Sequence, residues 1–422
     1  MKPIFDMTAA EKQARLSQLR TAYEEFRAQG LKLDMSRGKP GPEQLDLTMD
    51  MLACPAADNC RAEGVPDVRN YGGLEGLPAA RALFADILGV AADEVIVGGN
   101  SSLNLMCDYI CTAMVKGICG GQPWMLQGNI KFLCPAPGYD RHFAITQYFG
   151  VEMINVDMTA DGPDMDAVER LVTDPAIKGM WCVPMYSNPG GVTYSDETVR
   201  RLAALRPAAP DFRVMWDNAY CLHHLYDGQE ASLLNVMDEA KKQCNEDLFI
   251  QFCSTSKISF PGAGVAALAA SVRNIADIRS RLTLQTIGYD KLNMLRHLQY
   301  FGDLEGIRSH MRRQAEVLRP KFGVVAELLA EKLGGRGIAS WQTPHGGYFV
   351  SVDVADGCAK RTVALCREAG VTMTGAGATY PYGNDPRDRN IRIAPTYPSV
   401  TELRKAMELF CLCAEIAVLE RA

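Results

Sequence analysis

A single lysine, Lys257, follows a strand-length apolar run in the stretch DLFIQFCSTSKISFPGAG. Such a run is typical of a buried strand, so the lysine would lie at a strand end and be partly desolvated. Desolvation disfavours the charged ammonium and lowers the pKa of a lysine, which frees its amine to attack a carbonyl carbon. Lys257 is therefore a candidate for covalent catalysis, although a lone lysine in a loop is more often an ordinary surface residue.

A carboxylate, Asp217, closes a second apolar run, FRVMWD, and Tyr220 follows in DNAY. An isolated carboxylate is costly to bury without a cationic partner, whereas DNAY taken alone is more often a turn or a helix cap. A lysine that can attack a carbonyl and an aspartate that can keep a ring nitrogen protonated are the two groups that a pyridoxal phosphate site requires. Together they raise the hypothesis of a pyridoxal phosphate enzyme.

Short apolar runs alternate with amphipathic stretches between about residues 90 and 265, which is typical of a parallel α/β sheet. The runs of strand length are EVIVGG, KFLCP, VEMINVD, GMWCVPMY, FRVMWD and DLFIQF. Most of them end in polar or glycine-containing sequence, namely GGNSS, APGY, SNPGG, DNAY and STSK. Because open α/β sheets bind ligands at the carboxyl ends of their strands, we expect these endings to meet at one crevice.

The two ends of the chain show a different pattern. We predict an N-terminal helix that ends at Gly30, a long helix over 303–333, a hairpin within SWQTPHGGYFVSVDV and a C-terminal helix over 399–421. A chain of 422 residues is long enough for more than one domain. We therefore expect an N-terminal segment that packs with the small domain, a large cofactor-binding domain and a small C-terminal domain, at 1–55, 56–305 and 306–422.

Composition and charge exclude several classes of protein. With 47% apolar and 22% charged residues and a net charge of −6, the chain has the composition of an ordinary globular protein. Acids and bases are mixed along it without a block of like charge, which argues against nucleic acid or a membrane as a partner. The N-terminus lacks the apolar core of a signal peptide, so we expect a cytoplasmic protein.

The cysteines and histidines show no metal-binding spacing. The chain has fourteen cysteines, which lie in apolar segments and are predicted to be buried thiols, as at Cys107, Cys111, Cys182 and Cys253. There is no CxxC pair and no HExxH motif. We therefore assign no metal site and no disulfide framework.

Eight short motifs occur in the order in which one known enzyme family carries them: YGGLEG at 71–76, GGNSS at 98–102, PGY at 137–139, SNPGG at 187–191, DNAY at 217–220, STSK at 254–257, PHGGYF at 344–349 and IRIAP at 391–395. The chain resembles the fold-type I pyridoxal phosphate-dependent aminotransferases over nearly its whole length. It is most similar to the divergent bacterial branch of aspartate aminotransferases, whose N-terminal segment resembles LDMSRGKPGPEQLDL.

The resemblance implies a fold, a cofactor and partners. The fold would be α/β, with a mostly parallel central sheet in a large domain and a smaller α+β domain. The cofactor would be pyridoxal 5'-phosphate, and the substrates would be amino acids and 2-oxo acids. The active species would be a homodimer with shared active sites.

Carried over residue by residue, the resemblance assigns roles around the cofactor ring. Lys257 would bind the cofactor covalently and move the proton, and Asp217 would pair with the ring nitrogen. Tyr220 and Asn188 would hydrogen-bond the ring's 3-oxygen, and Tyr139 would stack on the ring. The competing interpretations are a plain Asn-Pro turn at Asn188 and ordinary loop packing at Tyr139.

The phosphate contacts implied by the resemblance are less complete. Ser101 and Ser102 lie where a strand gives way to a helix, so their amides could bind the phosphate, or they could simply cap the helix. Ser254 would add a contact, and Tyr71 would reach in from the neighbouring subunit. Most relatives have Gly-x-Arg after the lysine, and the arginine binds the phosphate, whereas this chain has Gly264 at that place. The residue that replaces the arginine stays open.

For the substrate, the resemblance assigns Arg392 to the α-carboxylate, because its planar fork suits bidentate binding. Gly38 and Asn188 are further substrate-binding candidates. A dicarboxylic substrate needs a second cation, and we favour Arg141, two residues after Tyr139. The other candidates for this distal cation are Arg37, Lys291 and Arg296. Arg392 and Arg141 could instead form only surface contacts.

The reaction predicted is transfer of the amino group between aspartate or glutamate and 2-oxoglutarate or oxaloacetate. Two alternatives use the same scaffold: an aminotransferase of another amino acid, or a β-elimination lyase. A third alternative is a transcription regulator with an aminotransferase-like effector domain. That alternative is weak, because only about thirty residues precede LDMSRGKP, too few for a winged-helix domain.

Overall fold

The computed structural model describes residues 2–65 and 67–421 and contains both strands and helices along most of its length. The strands are β1 (Leu33–Met35), β2 (Val95–Val97), β3 (Lys131–Ala136), β4 (Glu152–Thr159), β5 (Gly162–Pro163), β6 (Ile177–Cys182), β7 (Arg213–Asp217), β8 (Phe249–Ser254), β9 (Ala266–Ala270), β10 (Ala339–Trp341), β11 (Val350–Val354), β12 (Val371–Met373) and β13 (Asn390–Ile393). The helices are α1 (Ala9–Ala28), α2 (Pro42–Asp46), α3 (Pro78–Leu88), α4 (Ser102–Lys116), α5 (Asp140–Tyr148), α6 (Met165–Leu171), α7 (Asp196–Ala203), α8 (Val236–Lys242), α9 (Val272–Gln285), α10 (Lys291–Phe301), α11 (Leu304–Leu333), α12 (Ala359–Glu368) and α13 (Val400–Leu419).

An eight-stranded sheet forms the centre of the chain, in the order β2-β9-β8-β7-β6-β3-β4-β5. The strands from β8 to β4 are parallel, and β9 and β5 run antiparallel to their neighbours. This mostly parallel sheet with helices confirms the predicted α/β fold. All six predicted runs form strands, whereas β9 was missed because its sequence, AALAA, has no β-branched or aromatic residue.

The central strands are buried on both faces, which explains their continuous apolar sequences. Every residue of β6, β7 and β9 is buried. One face packs against α4, α5 and α9 with Trp181 and Phe252 in its core, and the other packs against α6, α7 and α8 with Trp216 and Phe249 in its core. A sheet covered in this way can present polar side chains only at its strand ends.

The cysteine prediction holds for part of the set. All fourteen cysteines are free thiols, and Cys182 and Cys253 are buried as predicted. Cys107 is only half-buried and Cys111 is exposed, so the prediction was wrong at these two positions. The reason is the periodicity of α4, whose buried face carries Leu105, Tyr109 and others and turns Cys111 to the opposite side.

The two ends of the chain pack together beside the large sheet. β1 pairs in parallel with β12, and β10, β11 and β13 form an antiparallel sheet. The predicted long helix, hairpin and C-terminal helix are confirmed as α11, β10 with β11, and α13. Leu16 of α1 shares a core with Phe410 of α13. The proposed domain boundaries at 55/56 and 305/306 stay predictions.

Two further findings concern membrane-spanning helices and metal sites. Across the described ranges, the helices are all too short or too polar to cross a membrane. Within the same ranges, no cluster of three or more His, Cys, Asp or Glu side chains is placed to hold a metal ion.

Candidate active site

A cavity of about 540 Å³ opens where the carboxyl ends of the parallel strands face the small antiparallel sheet. It takes side chains from the loops after β1, β3, β6, β7 and β8 and from β13. The residues predicted from the sequence that line it are Gly38, Tyr139, Arg141, Asn188, Tyr220, Lys257 and Arg392. The expected convergence of strand ends at one crevice is therefore confirmed for four of the five endings, whereas GGNSS supplies no residue to the lining of this cavity.

Lys257 lies in this cavity, three residues past the end of β8. Its Nζ atom is 5.0 Å from the centroid of the Tyr220 ring and 5.9 Å from that of Tyr348. Burial lowers the pKa of Lys257, although the negative charge of Asp217 opposes the shift. A lysine surrounded by aromatic faces and partly desolvated has an amine suited to nucleophilic attack.

Asp217, the last residue of β7, is only 3% exposed, and one of its two carboxylate oxygens has a hydrogen-bond partner. Its Oδ2 atom lies 3.0 Å from Nε2 of His142, whose ring stacks on Trp181 at 4.3 Å between centroids. Its Oδ1 atom has no hydrogen-bond partner in the described parts of the chain. A buried carboxylate oxygen without a donor is costly, so the site is built for a ligand that brings an N–H or O–H group to Oδ1.

Tyr220, Asn188 and Tyr139 surround the same space. Burial raises the pKa of Tyr220 well above its ordinary value and that of Tyr139 to about 12, so both phenols stay protonated near neutral pH. The Tyr139 ring meets the His142 ring edge-on, with centroids 4.9 Å apart. Neutral hydroxyls beside a buried amide can donate hydrogen bonds to a ligand oxygen.

The start of α4 is available to bind an anion. Ser101 occupies the N-cap position, yet its hydroxyl accepts no hydrogen bond from the described first turn of the helix. The neighbouring loop brings hydroxyls close, since Ser254 Oγ donates to Ser256 Oγ at 3.1 Å and Ser256 Oγ contacts the Asn100 carbonyl at 3.5 Å. Free amides and hydroxyls at a helix N-terminus form a phosphate-binding arrangement. Ser256 was missed in the sequence, although it stands next to Lys257.

A side chain at position 264, where most relatives have the arginine, would be tightly packed. A Cβ atom placed there would lie 3.2 Å from Oγ1 of Thr255 and 3.3 Å from the carbonyl oxygens of Asn100 and Phe260. Two of these three neighbours are backbone atoms that cannot turn aside. Packing is therefore tight at this position, and the groups near the start of α4 that are placed to hold a phosphate are amides and hydroxyls.

Arg392, on β13, is held from several sides. Its Nη1 atom donates to Oδ1 of Asp140 at 2.7 Å and to Oδ1 of Asn188 at 3.2 Å. Its guanidinium carbon lies 4.9 Å from the centroid of the Phe349 ring. Only 6% of the Arg392 side chain is exposed. A buried guanidinium at a cavity wall is suited to bind a carboxylate, because desolvation strengthens the charge-assisted pair.

Gly38 closes the cavity on the side of the N-terminal segment. A Cβ atom at this position would lie 2.4 Å from the Phe349 ring, closer than any real contact. The absence of a side chain lets the backbone of the segment lie against the ring that supports Arg392. The requirement for glycine at position 38 is therefore steric, and it can be seen only in the structure.

The candidates for a distal cation separate into two groups. Arg37 and Arg141 line the cavity with exposed side chains, and Lys39, which was not predicted, joins them with Nζ 3.9 Å from the Tyr397 ring centroid. Lys291 and Arg296 lie outside the cavity of this chain. Lys291 donates to the Gly72 carbonyl at 2.7 Å, and Arg296 donates to the Cys54 carbonyl at 2.9 Å.

Tyr71 does not line the cavity of its own chain, and 80% of it is exposed. Residues that contact the backbone of Lys257 were not predicted from the sequence. Tyr348 accepts a hydrogen bond from Gln44 at 2.9 Å and donates to the Lys257 carbonyl at 3.5 Å. These partners come from distant parts of the chain, so no local pattern could have indicated them.

The residues present fit pyridoxal phosphate on structural grounds alone. The unpaired Oδ1 of Asp217 matches a protonated ring nitrogen, the desolvated Lys257 matches the cofactor's carbonyl group, and the uncapped start of α4 matches its phosphate. The fold and the site together define a pyridoxal phosphate-dependent enzyme.

Comparisons with known proteins give the family. The family model for aspartate aminotransferases matches residues 7–422. An aspartate aminotransferase of Corynebacterium glutamicum is 45% identical over 403 residues, which are 95% of this chain and 93% of that protein. The crystal structure of an aspartate transaminase of the same organism superposes with a TM-score of 0.96 at 44% identity and covers 99% of this chain and 98% of that one.

A more distant structure shares the fold. It is LysN, an α-aminoadipate aminotransferase of Thermus thermophilus in complex with N-(5'-phosphopyridoxyl)-L-leucine, with a TM-score of 0.73 and 20% identity over 92% of this chain and 93% of that one. The chain belongs to the aspartate aminotransferase family. It is an aminotransferase, its cofactor is pyridoxal phosphate, and its substrates are amino acids and 2-oxo acids.

Proposed function

We propose that the protein transfers the amino group between aspartate or glutamate and 2-oxoglutarate or oxaloacetate, as a homodimer in the cytoplasm. The observation that carries the choice of substrate is the distribution of cations around the cavity. Arg392 is buried in one wall, and Arg37, Lys39 and Arg141 lie at the exposed rim. A dicarboxylic substrate carries two negative charges and has a cationic partner for each of them in this arrangement.

Within this proposal, the residues around the ring divide the chemistry among them. The cofactor, when bound, draws electron density from the substrate's α-carbon once its ring nitrogen is protonated. Asp217 keeps that nitrogen protonated, because its free Oδ1 accepts the N–H and His142 holds the other oxygen. Lys257 takes the proton from the substrate's α-carbon and delivers it to the cofactor carbon that lies next to the ring. The lowered pKa of Lys257 suits this transfer.

The remaining residues position ligands. Tyr220 and Asn188 donate to the ring's 3-oxygen, and Tyr139 stacks on the ring. Ser101, Ser102 and Ser254 hold the phosphate together with the N-terminal amides of α4. Gly38 lets the N-terminal segment come close to the substrate. Each of these roles is part of the proposal.

The homodimer is supported by one exposed apolar surface. Tyr71, Leu284 and Ile287 are 80%, 88% and 64% exposed. Leu284 lies in the last turn of α9 and Ile287 just after it, and the segment of Tyr71 is adjacent, because the Gly72 amide donates to the Ile287 carbonyl at 3.1 Å. Contiguous exposed apolar side chains are unusual on a monomer and mark a surface that another molecule covers. A second copy in this place would bring Tyr71 to a neighbouring phosphate site.

The experiment that tests the substrate proposal is a scan of amino donors with the purified holoenzyme. Aspartate is paired with 2-oxoglutarate and glutamate with oxaloacetate, because the opposite pairings only regenerate their own substrates. Alanine, phenylalanine and lysine are assayed with both acceptors at matched concentrations, and kcat/KM is the readout. We expect aspartate and glutamate to exceed the neutral donors by about one to two orders of magnitude, since a charge-assisted contact at the distal carboxylate contributes about 1.5–3 kcal/mol. Equal values for alanine and aspartate contradict the proposal.

A further inference from the structure

The arginine assigned to the substrate's α-carboxylate already holds a carboxylate of this chain. Asp140 Oδ1 lies 2.7 Å from Nη1 of Arg392, with the Asp140 side chain 32% exposed and that of Arg392 only 6% exposed. Oδ1 of Asn188 accepts a second hydrogen bond from the same nitrogen, at 3.2 Å. Both hydrogens of Nη1 are therefore engaged, so a substrate carboxylate cannot bind this nitrogen while Asp140 stays in place.

Two carboxylates on one guanidinium would also repel each other. The attraction of Arg392 for a substrate is reduced by the neighbouring charge of Asp140 in a partly desolvated site. Asp140 itself lines the substrate cavity, so an entering carboxylate meets it directly. A carboxylate that uses the planar fork with Nη1 can therefore bind only when Asp140 leaves, and one that meets the remaining nitrogens does so beside the charge of Asp140.

The structure offers Asp140 a second place. Asp140 is the first residue of α5, and Tyr139 at the N-cap position gives the described first turn no side-chain hydrogen bond. The free amides of a helix N-terminus and the helix dipole both stabilise a carboxylate. A rotation of the Asp140 side chain toward its own helix would release Nη1 of Arg392 and keep the Asp140 charge compensated.

We propose that Asp140 is a placeholder for the substrate: it neutralises Arg392 in the empty enzyme and is exchanged for the α-carboxylate on binding. This inference rests on the proposed role of Arg392. The exchange makes a carboxylate on the ligand necessary, because an amine without one gains nothing from Arg392 while Asp140 occupies it. Since Asp140 follows Tyr139 directly, the exchange also occurs next to the residue proposed to stack on the cofactor.

The exchange predicts that removing the charge of Asp140 tightens carboxylate binding. When the competent state is only a fraction of the population, the apparent affinity falls by that fraction. The probe is succinate, which has two carboxylates and no amino group to react, and its Kd for the holoenzyme is measured by calorimetry. We expect Asp140→Asn to bind succinate about tenfold more tightly than the wild type, if about a tenth of the empty enzyme is free of the internal pair.

Two variants and one ligand serve as controls. Asp140→Glu restores a competing charge, so its Kd should return toward the wild-type value. Asp140→Ala removes the charge without an amide that could bond Arg392, and should tighten binding like Asp140→Asn. Succinamide, which is neutral, should bind equally to all of these proteins. The variants are compared at equal cofactor content and equal thermal stability.

The outcomes separate this inference from the proposed function. If Asp140→Asn and Asp140→Ala bind succinate as the wild type does or more weakly, Asp140 only holds Arg392 in position and the exchange is overturned. Arg392→Ala tests the underlying role, because it should weaken succinate in the wild-type and the Asp140→Asn background alike. If Arg392→Ala leaves the Kd unchanged, the carboxylate site lies elsewhere and both proposals fail.

Discussion

The Nε2 atom of His142 lies 3.0 Å from Oδ2 of Asp217, while Oδ1 of the same carboxylate has no donor within the described residues. The histidine ring is fixed in turn by Trp181, parallel to it at 4.3 Å. This arrangement leaves the free oxygen of Asp217 in one orientation. The histidine therefore acts as a positioning residue for the carboxylate that is proposed to pair with the cofactor nitrogen.

Replacing Asp217 with Ala removes the charge that is proposed to keep the ring nitrogen protonated. We expect proton transfer at the α-carbon to slow by orders of magnitude while the cofactor still binds through Lys257 and the phosphate contacts. His142→Ala should have a smaller effect, about 10- to 100-fold, because it loosens Asp217 without removing it. Single-turnover absorbance changes with aspartate measure both. Near-normal rates in Asp217→Ala would mean that the nitrogen has another partner.

Lys257 should be the residue that carries the cofactor. Borohydride reduction of the yellow holoenzyme should fix the cofactor to the protein, and peptide mass spectrometry should locate it on Lys257, because burial lowers the pKa of its amine. Lys257→Ala should bind the cofactor without covalent attachment. Recovery of the label on Lys39 or Lys291 contradicts the assignment.

Arg141 should matter only for acidic side chains. Arg141→Ala is expected to lower kcat/KM for aspartate and glutamate by about one to two orders of magnitude, from the loss of a charge-assisted pair of about 1.5–3 kcal/mol, and to leave alanine nearly unchanged. Arg37→Ala is the matched control, because its side chain is also an exposed cation at the rim. If only Arg37→Ala changes the aspartate-to-alanine ratio, the distal role belongs to Arg37.

Shared active sites can be tested by mixing two inactive variants. Tyr71→Ala lacks the contact given to the neighbour, and Lys257→Ala lacks the reactive amine. A hybrid dimer of the two has one intact site, so random reassembly of equal amounts should recover about a quarter of the wild-type activity. The two variants are denatured and refolded together, with separately refolded samples as the control. Mixed samples without regained activity rule out the shared arrangement.

His297 makes the stability depend on pH. Burial lowers its pKa to about 4. Its Nδ1 donates to the Asn293 carbonyl at 2.8 Å, so Nε2 is the acceptor nitrogen, and the hydroxyls of Ser259 and Thr255 lie 2.8 Å and 3.1 Å from it. The unfolded chain, with a pKa near 6.5, binds the proton more readily. The stabilisation is therefore present above about pH 6.5 and is lost as the pH falls toward 4, by up to about 3 kcal/mol.

Urea unfolding midpoints at pH 7.5 and pH 5 measure this loss. His297→Gln should be less stable than the wild type at pH 7.5 but should lose less of its stability on going to pH 5. His345→Gln is the control, because His345 is exposed. An unchanged pH dependence in His297→Gln would show that the acid sensitivity arises at other histidines.

The residues that could be predicted from the sequence are those that lie at strand ends and in short motifs. Lys257, Asp217 and Asn188 follow predicted strands, and the structure places all three at one edge of the sheet. The support around them could not be predicted, because it depends on contacts between distant segments. His142 is 75 residues from Asp217, and Gln44 is 304 residues from Tyr348. The local pattern of apolar and polar residues therefore indicates neither contact.

Two other differences have local physical reasons. The strand AALAA was missed because alanine favours helices, and burial on both faces between β2 and β8 overrides that preference. Asp140 was not predicted as a functional residue, because an acid at the start of a helix is ordinary. Its place in the cavity wall and the 2.7 Å contact with Arg392 are visible only in the structure.

The pairing of β1 with β12 also sets an order of events during synthesis. Met35 lies opposite Met373, so 373 − 35 = 338 residues must be translated before β1 finds its neighbour. At about 5–20 residues per second, this takes roughly 17 to 70 s. The large sheet, complete at residue 270, can form well before then. Gly38 follows β1, and Arg392 of β13 is translated later still, so the cavity gains these two walls only when the chain is almost finished.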